Sequence, residues 1–198
     1  IVGNSMKHNI LFSDRAILLI FSLILLQLSA TKAYAIAYCA IREPVSVIQE
    51  FFPTFTSFQT VEGVVDQSVR QEIAEVLPET HFQEFGIHSL YVVYQGEAIA
   101  GFVHARTEKG LFGLDEIIWI LDADMMLRDF KFQKNRSGAI SQSMMLRLTP
   151  VLEGAELMDL ANVLQTEPDL SDRDRVIINS AVKALFVTKA IWPEVSSS

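Results

Sequence analysis

Four short runs of sequence decide the fold of this chain: HSLYVVYQ (residues 88–95), AIAGFVHART (98–107), DEIIWILD (115–122) and MLRDFKFQ (126–133). Each run is rich in β-branched and aromatic residues, has the length of a strand and is separated from the next by a turn sequence. The pattern predicts an antiparallel meander of four strands. In the last run, strand alternation groups Met126, Arg128, Phe130 and Phe132, so we expect one mostly apolar face and one mostly polar face.

The segments before the meander predict two helices and an edge strand. Between Pro44 and Pro53, the run VSVIQEFF predicts a short helix, because proline is tolerated in a first turn and excluded from a helix interior. Residues 57–66 predict an edge strand in which Gly63 forms a bulge. Residues 68–78 predict a second helix, since their apolar residues recur at helical spacing.

The segments after the meander predict two further helices. The run at 155–164 has apolar residues at helical spacing. The run at 175–192 predicts a final helix that opens with Ser171 and Asp174 as a capping box and ends at Pro193. The chain as a whole predicts an α+β fold, in which N- and C-terminal helices cover an antiparallel sheet of about four to five strands.

Composition restricts the classes of function. The chain has 198 residues, of which 50% are hydrophobic, and its formal net charge is −8. An acidic chain without a cluster of Lys and Arg lacks the surface that nucleic acid requires, so we expect no nucleic-acid partner. The single cysteine, Cys39, cannot form an internal disulfide, so the core alone has to stabilise the fold.

The N-terminal segment has the parts of a secretory signal. Lys7 and Arg15 precede an apolar run at 16–28, and the small residues Ala33 and Ala35 form an A-x-A cleavage pattern. The alternative is an uncleaved membrane anchor, since the run is just short of the roughly 18 apolar residues expected of a spanning helix.

These features divide the chain into a signal peptide and a single domain. Residues 1–35 form the signal peptide, in which residues 1–5 ahead of Met6 are interpreted as upstream read-through, and residues 36–198 form the domain. We therefore expect an exported, periplasmic protein whose mature chain begins at or near Ile36. In the alternative, the same segment anchors the domain to the membrane.

The sequence contains no strong catalytic or metal-binding motif. His88 and His104 lie on adjacent predicted strands, but two histidines at the surface edge of the sheet are favoured over a metal site. Asp122 and Asp124 resemble the start of a calcium loop without its glycine and distal glutamate, so turn formation is favoured there. We expect neither a metal site nor a catalytic residue, and the sequence leaves open whether the protein is an enzyme.

Aromatic residues offer a hypothesis about ligand binding. Trp119, Phe102, Phe112 and Phe130 could line a flat pocket suited to an isoalloxazine or another planar ring. An aromatic core explains them at least as well. Trp119 lies in the most apolar run and is expected to be buried.

The run from Tyr91 to Gln133 resembles the FMN-binding domain of the flavoprotein subunits of ion-pumping NADH:quinone and ferredoxin oxidoreductases. In that family, two strands joined by a glycine turn precede a glycine-aromatic-glycine loop, and two strands separated by an acidic turn follow. The matching residues here are Gly96, Gly101, Gly110, Phe112, Gly113, Asp122 and Asp124. The likeness extends over residues 41–192 and implies an α+β domain that binds FMN.

The resemblance also implies how the flavin is held. The family attaches FMN to a threonine hydroxyl of an S/T-G-A-T motif near the start of the last helix, and Ile177 stands in the place of that threonine here. An SGA sequence at 137–139 is followed by Ile140 and lies in a predicted loop. The attachment motif is therefore degenerate, and the resemblance implies noncovalent FMN.

The implied site lies between the loop Glu108–Gly113 and the start of the final helix. From the resemblance, the cofactor contacts Gly110, Phe112 and Gly113. Arg173 and Arg175, beside the helix N-terminus, could hold the phosphate through charge-assisted hydrogen bonds and free N–H groups. In the alternative interpretation, these arginines pair with Asp172 and Asp174 in a solvated capping turn.

The sequence thus predicts an exported FMN-binding-like domain in, or accessory to, flavin-linked electron transfer. The implied partner is a membrane-bound redox protein, and neither metal nor nucleic acid is expected. The alternative is a non-catalytic scaffold or interaction domain that kept the fold and lost the flavin, in which case the protein has no cofactor.

Overall fold

The computed structural model describes residues 40–65, 67–76 and 86–196, so the expected signal segment, Cys39 and His81 lie outside the described residues. The elements are α1 (Pro44–Phe51), β1 (Ser57–Val65), α2 (Gln67–Val76), β2 (Gly86–Gln95), β3 (Ala98–Gly110), β4 (Gly113–Asp122), β5 (Leu127–Lys134), α3 (Gln142–Leu152), α4 (Leu157–Thr166) and α5 (Asp172–Ser196). The predicted α+β fold is confirmed. All five strands form one antiparallel sheet in the order β1-β2-β3-β4-β5.

Strand β1 lies at one edge of the sheet, as predicted, but Gly63 in this strand does not form the expected bulge. The pairing of β1 with β2 runs without a register shift, and Gly63 lies opposite His88. The predicted bulge at Gly63 is therefore wrong. A Cβ atom at Gly63 would lie 2.3 Å from Cγ2 of Ile191, so the glycine allows α5 to approach the strand closely.

Both faces of the sheet are covered, so the expectation of one polar face is wrong. Strand residues that include Leu90, Phe102 and Trp119 pack with α3, α4 and α5. The opposite face, which includes Val103 and Ile120, packs against α1. The central run of β4, IIWIL at 117–121, is buried throughout, which is the pattern of a strand covered on both sides.

A bulge in β5 explains why simple alternation assigned this strand incorrectly. Ile120 pairs with Asp129 and Leu121 pairs with Leu127, so one extra residue is inserted in β5. Leu127 consequently joins the α5 side of the sheet, together with Phe130. Arg128, which was expected to share a face with Phe130, instead places its guanidinium 5.1 Å from the ring centroid of Phe52, on the α1 side.

The C-terminal helices differ from the prediction in number and length. Helix α3 was not assigned from the sequence, and it begins where the Ser141 side chain accepts a hydrogen bond of 3.1 Å from the backbone N–H of Met144. Helix α5 continues past Pro193 to Ser196, so the predicted end at Pro193 is wrong. Its segment Asp172–Pro193 is long and apolar enough to span a membrane, but most of that segment is buried against the rest of the domain, as in a core helix.

Candidate functional site

A cavity of about 150 Å³ lies where the β3–β4 hairpin, the segment after β5 and the first turns of α5 meet. Its apolar wall is formed by Leu111, Ile117, Phe132, Val176 and Ile177. Its polar groups belong to Lys109, Asp115, Ser137, Asp172 and Arg173, and the backbone of Gly110 completes the lining. The cavity therefore combines an apolar interior with groups of both charges.

A buried carboxylate joins two of the segments that form the cavity. Asp115 accepts hydrogen bonds from the backbone N–H groups of Arg136 (2.5 Å) and Ser137 (3.1 Å). The Ser137 hydroxyl donates a further bond of 2.5 Å to Asp115 and accepts one of 3.0 Å from the backbone N–H of Leu111. These bonds fix the segment after β5 against the hairpin, so the cavity wall is held by satisfied polar groups.

The close approach of these segments requires glycine at the end of β3. A Cβ atom at Gly110 would lie 1.9 Å from the Ser137 hydroxyl oxygen and 2.4 Å from a carboxylate oxygen of Asp115. Any larger residue at this position would push Ser137 away from the hairpin. Glycine at this position therefore has a steric reason that does not involve a cofactor.

Arg173, in the first turn of α5, holds the other side of the same segment. Its guanidinium donates hydrogen bonds to the carbonyl oxygens of Gly138 (2.6 Å) and Ala139 (3.1 Å) and to the Asn135 side chain (3.2 Å). Its Nε atom is buried and has no hydrogen-bond partner within the part of the chain that the structure describes. Arg173 therefore lines the cavity with a guanidinium whose terminal nitrogens are bonded to the segment after β5 and whose Nε atom is enclosed by the protein.

The structure brings together two of the five predicted flavin contacts. Gly110 and Arg173 line the cavity. Phe112 lies at the hairpin tip and is 77% exposed, and Gly113 lies beside the Arg136 side chain. Arg175 points away from the cavity and donates to the carbonyl oxygens of Leu164 and Glu167 at the end of α4.

The alternative pairing expected for the two arginines is also not the one observed. Asp174 is buried and pairs with Arg147 of α3, with oxygen–nitrogen distances of 3.0 and 3.3 Å. The backbone N–H of Asp174 donates to the Ser171 hydroxyl at 3.1 Å, which is the predicted cap of the helix. Arg173 and Arg175 use their donors on backbone carbonyl groups instead.

The remaining aromatic residues of the hypothetical flat pocket belong to the core. Trp119 is fully buried and stacks on Phe130 with ring centroids 5.2 Å apart, and its indole N–H donates to the Ser180 hydroxyl at 2.9 Å. Phe102 contacts the ring of Trp192 edge-on at 5.5 Å. The aromatic-core interpretation is therefore correct for these residues.

A row of polar side chains that the sequence reasoning missed leads from the sheet interior toward the cavity. His104, Arg106 and Glu108 share the α5 side of β3 and are all buried. Glu108 accepts a hydrogen bond from Arg106 (2.9 Å) and one from Lys183 of α5 (3.2 Å). Across the strand pair, Glu108 lies opposite Asp115 of the cavity.

The two histidines expected at the surface edge are buried in this row, so that interpretation is wrong. The ring centroids of His88 and His104 are 5.9 Å apart, and Nδ1 of His104 lies 3.3 Å from the Thr188 hydroxyl. Burial, followed by the charges of Arg106 and His88, lowers the pKa of His104 well below its ordinary value, against a smaller opposing effect of its hydrogen bond to the backbone of Ala184. His104 is therefore neutral at physiological pH.

The acidic turn between β4 and β5 is organised by its own side chain. The carboxylate of Asp122 accepts hydrogen bonds from the backbone N–H groups of Asp124 (3.0 Å) and Met126 (2.9 Å), which confirms turn formation. Among the described residues, no group of three or more His, Cys, Asp or Glu side chains is arranged to hold a metal ion.

Comparison with known proteins adds no assignment to this geometry. No protein-family model matches the chain, and the search of curated proteins found no match.

Proposed function

We propose that this protein is an exported domain that binds FMN noncovalently and serves flavin-linked electron transfer. One observation carries the proposal: a cavity lies between the β3–β4 hairpin and the start of α5, which is the place that the resemblance implies for the flavin. Arg173 lines the cavity and places a guanidinium charge in the first turn of α5. Positive charge at a helix N-terminus suits a phosphate group.

The dimensions of the cavity limit how a flavin would be held. A volume of about 150 Å³ is close to that of an engineered apolar cavity that accepts benzene. One ring of an isoalloxazine would therefore be enclosed, between apolar side chains that include Ile117, Phe132 and Ile177, and the rest of the cofactor would lie outside the cavity. When bound, the flavin would supply one- and two-electron transfer.

Side chains at the cavity favour noncovalent binding. Ile177, in the wall of the cavity, has no hydroxyl that could accept the cofactor. The hydroxyl of Ser137 is engaged by Asp115 and by the backbone of Leu111. A membrane-bound redox protein is proposed as the electron-transfer partner, on the strength of the resemblance and of the apolar run at 16–28.

Flavin fluorescence tests this proposal with a matched pair of arginine variants. FMN added to the purified protein should lose fluorescence in a saturable manner. Arg173→Ala should weaken FMN binding by about 10- to 160-fold, since a charge-assisted hydrogen bond is worth roughly 1.5 to 3 kcal/mol. Arg175→Ala should leave the affinity unchanged, because Arg175 bonds carbonyl groups at the end of α4.

Three controls make the outcome decisive. Circular dichroism must show that both arginine variants are folded, because Arg173 also holds the segment after β5. Riboflavin, which lacks the phosphate, should bind the unmodified protein and Arg173→Ala with similar affinity. The absence of any quenching by the unmodified protein would refute flavin binding, and flavin that stays on the polypeptide after acid denaturation would refute noncovalent attachment.

A second candidate function is a non-catalytic interaction domain, and the exposed apolar tip of the β3–β4 hairpin favours it. Such a domain would show no flavin absorbance when purified and no quenching on addition of FMN. The two functions are thus separated by the same titration.

A further inference from the structure

Three large apolar side chains are exposed together at the β3–β4 hairpin. Leu111, Phe112 and Leu114 are 63%, 77% and 55% exposed. Leu111 and Phe112 form the two-residue turn itself, between the paired residues Gly110 and Gly113. A cluster of this kind is uncommon on a soluble surface unless it contacts a partner or a membrane.

The tip is held in this exposed position by the structure beneath it. The backbone N–H of Leu111 is bonded to the Ser137 hydroxyl, and Ser137 is bonded to the buried Asp115. The turn is therefore fixed at both the strand pair and the segment after β5. Because the tip cannot fold back without breaking these bonds, its apolar side chains remain available to a partner.

Two cations flank the apolar tip. Lys109 is exposed at the end of β3, and Arg136 is exposed beside the turn, where its Cδ atom is 3.0 Å from the position of a Cβ on Gly113. Neither makes an ion pair with another residue of the described ranges. Of the acids near the tip, Asp115 is buried and accepts bonds from the backbone N–H groups of Arg136 and Ser137, and Asp172, which also lines the cavity, is exposed at the start of α5. Lys109 and Arg136 are the exposed charges directly beside the turn, and they suit an anionic surface.

We propose that the hairpin tip docks on an anionic lipid surface, with Leu111 and Phe112 entering the interface and Lys109 and Arg136 among the headgroups. The apolar surface of a convex turn with so few apolar side chains is much smaller than the roughly 800 Å² of surface that each partner buries in a stable protein interface. A short apolar wedge beside basic residues is instead sufficient for reversible binding at a membrane surface. This proposal goes beyond cofactor binding: the tip shares Leu111 and Lys109 with the cavity lining, but its contact with lipid requires no flavin.

A tryptophan placed at the tip reports this contact directly in the full chain. Phe112→Trp puts one reporter at the tip, and Met158→Trp puts a matched control reporter at a similarly exposed apolar position on α4. Spectra are compared with those of the unmodified protein, which contains Trp119 and Trp192. With vesicles of phosphatidylcholine and phosphatidylglycerol, emission of the tip reporter should shift to the blue and be quenched by brominated acyl chains, and emission of the α4 reporter should not change.

The charge requirement gives a second, independent measurement. Vesicles of phosphatidylcholine alone should produce a much smaller shift of the tip reporter than mixed anionic vesicles. In the Phe112→Trp background, Lys109→Ala and Arg136→Ala should each weaken binding of the tip about fivefold, since each basic residue near an anionic surface contributes about that factor. Raising the salt concentration should weaken binding in the same way.

Several outcomes would overturn the proposal. Equal quenching of the two reporters would show that the protein binds the vesicle through another part of the chain. The bound protein would then have no defined orientation. No response of either reporter would show that the tip does not enter lipid. A blue shift of the tip reporter that depends on protein concentration without vesicles would assign the tip to self-association instead.

Discussion

The two faces of the sheet are built from the same strands but bury different chemistry. On the α1 side, the buried strand residues are apolar or aromatic, and the charged pairs Arg42–Glu116 and Lys131–Glu50 lie at the exposed margin. On the α5 side, the strands bury histidine, acidic and basic side chains as well, namely His88, His104, Arg106, Glu108 and Asp115. The cavity opens on this second side.

The interior of the α1 side is therefore held by apolar packing, whereas the interior of the α5 side also contains polar and charged groups. A buried charge is tolerated only when it is paired and hydrogen-bonded, so the α5 side depends on complete networks. An exposed ion pair contributes little in either direction. Loss of one partner should therefore be severe on the α5 side and mild on the α1 side.

The largest expected effect concerns Trp119, at the centre of the α5 side. Trp119→Ala should lower the free energy of unfolding by about 4 to 5 kcal/mol, the upper part of the range for a buried aromatic residue, because Ser180 also loses its hydrogen-bond donor. Urea unfolding followed by circular dichroism measures this change. A loss below about 2 kcal/mol would show that this side of the core is loosely packed.

The comparison of Glu108 with Glu116 tests the two faces with one chemical change. Glu108→Gln should lower the free energy of unfolding by about 3 kcal/mol, because the buried guanidinium of Arg106 and the ammonium of Lys183 lose their shared carboxylate. Glu116→Gln, at the α1 margin, should lower it by less than about 1 kcal/mol, because the side chains of its charged partners Arg42 and Lys134 are 62% and 36% exposed and a glutamine can still accept the hydrogen bond from Gln133. Equal losses in urea unfolding would contradict the distinction between the faces.

A pH titration of stability provides the next test, since the folded protein holds His104 neutral. The folded-state pKa of His104 is below its unfolded value, so the unfolded chain binds the proton more readily. The free energy of unfolding should therefore be unaffected by this group above about pH 6.5, and should fall by about 1.4 kcal/mol per pH unit between the unfolded-state pKa and the lower folded-state pKa. His104→Gln should remove this dependence, and an unchanged pH profile in that variant would assign the effect to other groups.

The strands were predictable because β-branched and aromatic residues cluster in short runs separated by turn sequences. The contacts that form the site, in contrast, join residues that are distant in the sequence. The bulge at β5 is visible only when Ile120 is paired with Asp129. The polar row was missed because histidine, arginine and glutamate are usually exposed, although Phe102 and His104 share one face of β3 and could have indicated it. The decisive partner, Lys183, lies 75 residues from Glu108.

In the candidate site too, the local elements could be predicted from the sequence, and the contacts between residues distant in the sequence could not. The hairpin and the start of the final helix are readable from the sequence, but only the resemblance placed Gly110 of the hairpin beside Arg173 of the helix, and both residues line the cavity. The bond between Ser137 and Asp115 joins residues 22 positions apart, on segments whose proximity the sequence does not reveal. For the same reason, the direction in which Arg175 points could not be predicted.

The smallest expected effect concerns the ion pair that links β5 to α1. The Nζ atom of Lys131 lies 2.5 Å from the Oε2 atom of Glu50, and both side chains are substantially exposed. A double-mutant cycle with Lys131→Ala and Glu50→Ala should give a coupling energy of about 0.2 to 1 kcal/mol, and the coupling should shrink at high salt because exposed charges are screened. Helix α1 is held mainly by Val47 and Ile48, together with Phe52 directly after its end, which are buried against the sheet, so breaking the pair should leave the helix in place. A coupling energy above about 2 kcal/mol would show that the α1 side also depends on a charged pair, and the contrast between the two faces would then be lost.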